Sequence, residues 1–127
     1  GENLPFEDNS FNSAVCAFGV RNFSDRFKGI KEMRRVIKKN GRIVILEFSN
    51  PENRFFRFLY YFYFKKMLPL IGGLISGRFS AYRYLPDSVL NFYSQEELKI
   101  VMEKAGLKKI NYFSLTFGIV TVHTGFK

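Results

Sequence analysis

Hydrophobic positions in the first fifty residues predict a strand, a helix and a second strand. Residues 13–18 (Ser-Ala-Val-Cys-Ala-Phe) form a short apolar run suited to a buried strand. Ser24 is the candidate N-cap of a helix running to about Lys39, where Asn40-Gly41 is expected to end it. The apolar stripe of this helix consists of Phe27, Ile30, Met33 and Ile37. Residues 42–48 (Arg-Ile-Val-Ile-Leu-Glu-Phe) form a run rich in β-branched residues, typical of a strand covered on both faces. A helix between two buried strands predicts a parallel βαβ unit.

Beyond residue 50 the pattern predicts an aromatic helix and then a flexible joint. Residues 54–68 are predicted to be helical, with Phe and Tyr on all sides rather than along one stripe. The joint that follows is rich in residues that break helices: Pro69, Gly72, Gly73 and Gly77.

The last third predicts one helix and two strands. Residues 94–97 (Ser-Gln-Glu-Glu) form a capping box, and the helix that it opens is expected to stop at Gly106. Two closing strands follow, at about residues 107–115 and 119–125, with a tight turn at 116–118. Strands joined by so short a turn must be antiparallel neighbours.

These elements predict an α/β, Rossmann-like domain in three parts. Residues 1–50 form a β-α-β sheet core, residues 51–93 an aromatic helical insert that covers the substrate, and residues 94–127 a helix with a terminal antiparallel hairpin. No internal repeat or low-complexity tract interrupts this order.

Composition and charge narrow the classes of partner. The 127 residues are 46% hydrophobic and 18% aromatic, with sixteen Phe and seven Tyr, so the chain needs a large core or an apolar ligand surface. The single cysteine, Cys16, excludes an internal disulfide framework. A net charge of +9 is compatible with anionic lipid, nucleic acid or an anionic substrate, and equally with a merely well-solvated surface. The apolar stretch 55–75 is interrupted by charges, Pro and Gly, which argues against a transmembrane helix. The opening residues do not have the pattern of a secretory signal, so none is expected.

Several short motifs occur along the chain. They are Leu4-Pro5-Phe6, Asp8-Asn9-Ser10-Phe11, Ala17-Phe18-Gly19-Val20-Arg21-Asn22, Glu32-Met33-Arg34-Arg35-Val36, Leu46-Glu47-Phe48-Ser49, Leu68-Pro69-Leu70-Ile71-Gly72, Ala81-Tyr82-Arg83-Tyr84-Leu85-Pro86 and Leu115-Thr116-Phe117-Gly118. In these motifs the chain resembles the C-methyltransferases of ubiquinone and menaquinone biosynthesis, of the demethylmenaquinone methyltransferase type.

The resemblance implies the fold of a class I methyltransferase that depends on S-adenosylmethionine (SAM), with this chain as its downstream part. It implies SAM as methyl donor, no metal, and methylation of a ring carbon of a prenylated quinol. The family's glycine-rich cofactor loop and acidic ribose-binding residue would lie before Gly1, so the chain alone is expected to be inactive. Two departures from the family pattern stand out: Asn12 where Asp is usual, and Lys39-Asn40-Gly41 where Pro-Gly-Gly is usual.

Arg21 and Asn22 are the candidate catalytic residues. They follow a predicted strand end, where ligand sites of α/β folds form, and the resemblance places Arg21 at the quinol. Because a guanidinium stays protonated in proteins, Arg21 would stabilise a phenolate or orient a water rather than act as the base. Asn22 would orient Arg21 or donate to the ring oxygen. The alternative is that both residues simply close a strand–helix turn.

The remaining candidates bind cofactor or substrate. The resemblance places Gly1 and Glu2 near the adenine and Ala17 beneath the methionyl part of SAM, although ordinary backbone packing would also explain these residues. For the quinol and its prenyl tail the candidates are Phe62, Met67, Tyr82 and Tyr84. The aromatic insert would equally suit a buried helix or an oligomer interface.

Basic residues beside the insert suggest where the protein works. They favour a cytoplasmic protein that touches the anionic inner face of the membrane. A non-catalytic membrane-peripheral or partner-binding module is the alternative function. The strand at 13–18 would present a sheet edge, so a homo-oligomer or strand exchange is expected. His123 has no second His or Cys nearby in the sequence and is expected to be structural. Nucleic acid is suggested by charge alone, and no RNA- or DNA-recognition motif supports it.

Overall fold

The structure, a computed structural model, describes residues 1–49, 51, 53–67, 70–71 and 88–127. Its strands are β1 (Phe11–Ala17), β2 (Ile37–Phe48), β3 (Lys108–Leu115) and β4 (Val120–Phe126). Its helices are α1 (Arg26–Val36), α2 (Arg54–Phe62) and α3 (Gln95–Lys104). Shorter helical segments are a 3₁₀ turn at Val20–Asn22, a π-helical turn at Tyr63–Met67 and a 3₁₀ turn at Thr116–Gly118. The predicted joint beyond residue 68 lies outside the described residues apart from 70–71.

The described strands form one sheet in the order β1-β2-β4-β3. β1 pairs with β2 in parallel, from Ser13 opposite Arg42 to Ala17 opposite Leu46, with α1 as the connection. β2 and β4 are antiparallel, as are β4 and β3. The predicted βαβ unit and the antiparallel closing strands are therefore confirmed.

The boundaries of α1 differ from the prediction at both ends. The N-cap is Asp25, whose carboxylate accepts from the backbone N–H of Lys28 at 2.9 Å, and not Ser24. The helix ends at Val36 rather than near Lys39, because Ile37 adopts an extended conformation and is fully buried. Tertiary partners satisfy the Arg35 carbonyl in the last turn, which accepts from Lys127 Nζ at 3.2 Å and from the Asn9 N–H at 3.1 Å.

Asn40 is left-handed as predicted, with φ of 63°, but it lies within β2 rather than at a helix stop. The pairing with β1 shifts across this segment, from Ile37 opposite Phe11 to Arg42 opposite Ser13. A Cβ on Gly41 would lie 2.9 Å from the Asn12 carbonyl oxygen and 2.7 Å from that of Lys38, so a side chain does not fit here. The Asn40-Gly41 pair thus produces a local irregularity in β2, where its register with β1 shifts.

Burial of the sheet is one-sided, which corrects two expectations. The strand β1 is mostly exposed rather than buried, and Val15 is 68% exposed. In β2, Ile43 and Ile45 are fully buried, whereas Val44 and Leu46 on the opposite face are half-buried. The reason is that α1 and α3 pack on the Ile43 face, and β1 is an edge of the described sheet.

The core lies between that face and the two helices. Its buried members include Ile30, Met33, Val36, Ile43, Ile45, Leu98, Met102 and Leu107. The predicted capping box opens α3, since Ser94 Oγ accepts from the Glu97 N–H and the Glu97 carboxylate accepts from the Ser94 N–H at 2.8 Å. Gly106 ends the helix with φ of 91°, also as predicted.

The aromatic helix buries one narrow face. Tyr60 and Phe64, four residues apart, are 5% and 7% exposed and pack on Val89, with Phe48 alongside. Most other aromatic side chains of α2 are exposed. Among the described residues, no helix is both long enough and apolar enough to span a membrane.

Two of the sequence motifs meet at the start of the chain. The Arg35 guanidinium donates to the carbonyls of Leu4 and Phe6 at 3.0 and 2.8 Å and to Asp8 Oδ1 at 2.7 Å. Glu32 accepts from the Leu4 N–H at 3.0 Å and from Arg35. These bonds lower the pKa of Glu32 to about 2, chiefly through Arg35. The segment 4–8 is therefore tied to α1.

Candidate active site

Arg21 stands just beyond the carboxyl end of β1. The chain leaves the sheet at Phe18, whose backbone is left-handed (φ of 53°) and whose N–H donates to the Leu46 carbonyl at 2.8 Å. The 3₁₀ turn at Val20–Asn22 follows, fixed by the fully buried Val20. Because β1 and β2 are parallel, this turn lies beside the carboxyl end of β2, the edge at which α/β folds bind ligands.

A buried carboxylate holds Arg21 in place. Glu47, near the end of β2, is 1% exposed and lies on the same strand face as Ile43 and Ile45. Arg21 donates to it twice: from Nη1 to Oε2 at 2.9 Å, and from its backbone N–H to Oε1 at 3.2 Å. Nη1 also donates to the Phe18 carbonyl at 2.6 Å. The guanidinium is thus oriented in advance and only 10% exposed.

A cluster of aromatic rings adjoins the Arg21 guanidinium through Phe48. The Arg21 guanidinium carbon lies 5.5 Å from the centre of the Phe48 ring, and the Phe18 ring lies 4.7 Å from Phe48. Phe48 also packs edge-on against Phe64, which in turn contacts Tyr60 at 4.4 Å between ring centres. A positive charge beside flat apolar surfaces suits an aromatic ring that carries a negative oxygen.

Several buried polar atoms near the ion pair have no hydrogen-bond partner within the part of the chain that the structure describes. They are Arg21 Nε, Tyr60 Oη and Ser49 Oγ. Burial raises the pKa of the Tyr60 hydroxyl, an effect that the charge of Arg21 partly opposes, so this hydroxyl stays protonated as a hydrogen-bond donor. Unpaired donors in an apolar setting favour a ligand that accepts hydrogen bonds.

Asn22 closes the turn beside Arg21. Its side-chain amide donates to the Phe18 carbonyl at 3.4 Å, the oxygen that also accepts from Arg21. Asn22 is exposed, so the geometry gives it a part in shaping the turn, and its predicted contact with the quinol stays a prediction.

A second polar cluster lies behind Glu47, on α3 and β4. His123 is 2% exposed, and its Nε2 donates to the Gln95 carbonyl at 2.8 Å. The Gln95 amide donates to Ser114 Oγ and Thr121 Oγ1 at 3.0 and 3.2 Å. Burial lowers the pKa of His123. This geometry agrees with the structural role expected for the histidine. The described residues contain no group of three His, Cys, Asp or Glu side chains placed to hold a metal ion.

The candidate cofactor residues occupy different settings. Ala17 is the last residue of β1, and it is exposed. A Cβ on Gly1 would run into the Phe23 ring. The Glu2 carboxylate accepts from the N–H groups of Ser24 and Asp25 at 2.7 and 3.1 Å, just before α1. The side chain of Glu2 is thus engaged in the fold, and the predicted contacts of Gly1, Glu2 and Ala17 with SAM stay predictions.

The candidate substrate residues are only partly placed. Phe62 and Met67 are 52% and 41% exposed on the aromatic helix and its π-helical extension. Tyr82 and Tyr84 lie outside the described residues.

Sequence reasoning missed Glu47 and Tyr60. A signal for Glu47 was present, because a lone carboxylate at the end of a continuous apolar strand needs a buried partner. No comparable signal marked Tyr60, which is one of several tyrosines in an aromatic segment.

The whole chain, residues 1–127, matches the model of the ubiE/COQ5 methyltransferase family. The chain belongs to this family. Among solved structures, one similar fold is a SAM-dependent methyltransferase from Thermotoga maritima, described as a possible histamine N-methyltransferase. The TM-score is 0.69 at 23% identity, over 99% of this chain and 60% of that one. The fold is thus the Rossmann-like class I methyltransferase fold, as predicted.

Relatives with assigned names agree with the family. The chain is 56% identical over 126 residues to the ubiquinone/menaquinone biosynthesis C-methyltransferase UbiE of Geotalea uraniireducens, covering 99% of this chain and 53% of the relative. It is 48% identical over 122 residues to the demethylmenaquinone methyltransferase of Thermus thermophilus, covering 96% and 55%. The chain spans about half the length of the curated relatives it matches.

Proposed function

We propose that this chain forms the quinol-facing part of a SAM-dependent C-methyltransferase of menaquinone or ubiquinone biosynthesis. The observation that carries the proposal is the Arg21–Glu47 pair at the carboxyl ends of two parallel strands, with the Phe48 ring beside the guanidinium. Family membership and the names of its relatives supply the reaction type.

Ring methylation requires a nucleophilic carbon. Loss of a phenolic proton from the reduced quinone moves electron density onto the adjacent ring carbon. Arg21 would stabilise the phenolate that forms, and Glu47 would keep its guanidinium aimed there. Phe18 and Phe48 offer apolar faces against which the ring would stack. When bound, SAM supplies the electrophilic methyl group.

Other predicted contacts complete the proposal. Ala17, with the backbone of Gly1 and Glu2, would border the methyl donor. Phe62 and Met67, with Tyr82 and Tyr84 outside the described residues, would line the path of the prenylated quinol. The protein would work in the cytoplasm, at the inner face of the membrane in which this substrate is dissolved.

A chimera tests the reaction. This chain replaces the matching segment of the Thermus thermophilus demethylmenaquinone methyltransferase, to which it is 48% identical. The chimera is incubated with SAM carrying a labelled methyl group and with demethylmenaquinol kept reduced, and labelled menaquinone is measured by chromatography. We expect methyl transfer, reduced about a hundredfold or more by Arg21→Met, because an oxyanion-stabilising donor contributes on this scale.

Because Arg21→Met leaves the buried Glu47 carboxylate without its partner, circular dichroism and SAM binding are measured on the same chimera to separate catalysis from folding. The Arg42→Met chimera loses an exposed arginine of β2 and should keep its activity. A chimera that folds and binds SAM but transfers no methyl group, beside an active parent enzyme, would contradict the proposal. Full activity of the Arg21→Met chimera would contradict the role given to Arg21.

A further inference from the structure

The exposed side of α2 is unusually apolar. Phe55, Phe58 and Phe62 are 65%, 67% and 52% exposed, and Leu59 is 45% exposed. Large apolar side chains grouped in this way mark an interaction surface rather than ordinary scatter. We call the surface formed by Phe55, Phe58, Leu59, Phe62 and the hairpin residue Phe117 the aromatic surface.

The β3–β4 hairpin adds its tip to this surface. Phe117 is 74% exposed, and its ring stacks on Phe56 of α2 at 5.0 Å and 12°. Both Thr116 and Phe117 adopt left-handed backbone conformations, with φ of 49° and 56°. Such conformations are unfavourable for β-branched and aromatic residues, and they persist mainly at functional positions. The hairpin thus holds Phe117 outward, joined to α2.

The charge beside the aromatic surface has one sign. Between residues 53 and 67 all charged residues are basic: Arg54, Arg57, Lys65 and Lys66. From Lys104 to Lys127, the stretch that carries the hairpin, there is no acidic residue either. Exposed aromatic side chains bordered by Lys and Arg are typical of proteins that lie on anionic bilayers.

We propose that the aromatic surface docks on an anionic lipid bilayer, with Phe117 and the exposed side of α2 entering the headgroup region. The inference deepens the proposed function by naming the surface that meets the membrane, yet docking needs neither SAM nor methyl transfer. A bilayer fits better than a nucleic acid, because the exposed centre of this surface is apolar and the charges border it. Shallow insertion also agrees with the absence of a membrane-spanning helix among the described residues.

Tryptophan reporters test the docking directly. The chain contains no Trp, so Phe117→Trp introduces a single Trp, which is excited at wavelengths where the seven Tyr absorb little. Phe27→Trp is the matched control, since Phe27 is 39% exposed on α1, outside the aromatic surface. With vesicles of phosphatidylcholine and phosphatidylglycerol, we expect a blue shift and quenching by brominated lipid for Phe117→Trp and neither for Phe27→Trp. Equal responses of the two variants, or no response of Phe117→Trp, would overturn the proposal.

Sedimentation with vesicles measures the contribution of each ring. Phe58→Ala and Phe117→Ala should each weaken partitioning about tenfold, because each removes one ring from the lipid contact. Phe27→Ala should leave partitioning unchanged, and added salt should weaken the binding of every variant. Circular dichroism confirms that the variants fold. Docking would be refuted if Phe58→Ala and Phe117→Ala left vesicle binding unchanged. It would also be refuted if the chain bound RNA but not vesicles. Neither result would contradict the methyltransferase proposal.

Discussion

Replacing Glu47 by Gln should destabilise the fold strongly, because it leaves a buried guanidinium without its counter-charge. Glu47 is 1% exposed, and it accepts one hydrogen bond from the Arg21 side chain at 2.9 Å and one from its N–H at 3.2 Å. Removing one partner of a buried ion pair costs about 3–5 kcal/mol. Glutamine keeps an oxygen for the N–H, so we expect the low end, about 3 kcal/mol. Domains of this size are stable by about 5–15 kcal/mol, so the loss is a large share.

Urea unfolding followed by circular dichroism measures this loss as a change in the free energy of unfolding. The double-mutant cycle adds Arg21→Met and the combined variant. The two losses should not add, because the second substitution removes the partner that the first left unpaired, and we expect a coupling energy of about 1.5 kcal/mol or more. Arg42→Met, at an exposed position of β2 where the guanidinium carbon lies 5.0 Å from the centre of the Phe126 ring, is the control and should cost less than about 1 kcal/mol.

Two results would refute the reasoning. Glu47→Gln unfolding at the same urea concentration as the unsubstituted chain would show that the pair contributes no net stability. Additive losses in the cycle would show that the two side chains act independently, so that Arg21 would not be held by Glu47 in solution.

Three further predictions concern other parts of the molecule. Burial in the folded state lowers the pKa of His123, so the folded protein binds a proton at this residue less readily than the unfolded chain. The free energy of unfolding should therefore fall as the pH drops below about 6.5, by at most about 1.4 kcal/mol per pH unit. In thermal melts, His123→Gln should make stability depend less on pH. A melting temperature of the unsubstituted chain that does not change over this pH range would contradict the prediction. Arg35→Gln should release residues 4–8 and speed hydrogen exchange at the Leu4 amide, whereas unchanged exchange would mean that other contacts hold the segment. Because β1 is an exposed edge of the described sheet, light scattering should detect dimers or larger species that Val15→Lys reduces; a monomeric chain would argue against association through this edge.

Much of the fold followed from local patterns. The βαβ unit, the capping box at Ser94 and the closing hairpin were all predicted and are confirmed, because each depends on residues close together in the sequence. Of the candidate site, Arg21 was predicted and lies at the carboxyl edge of the sheet. Its partner Glu47 was not, because it stands 26 residues further along the chain. Nothing in spacing or composition pairs the two side chains.

The sequence by itself determined the order of strands and helices, the turn that carries Arg21, and the basic, aromatic character of the surface. Periodicity, caps and charge are properties of neighbouring residues, and they act whatever lies across the fold. Tertiary structure alone decided that α1 ends at Val36, that β1 is exposed, and that Tyr60 is buried while Phe58 is not. Each of these outcomes depends on which distant groups supply a hydrogen bond or cover a face, and no local pattern specifies those groups.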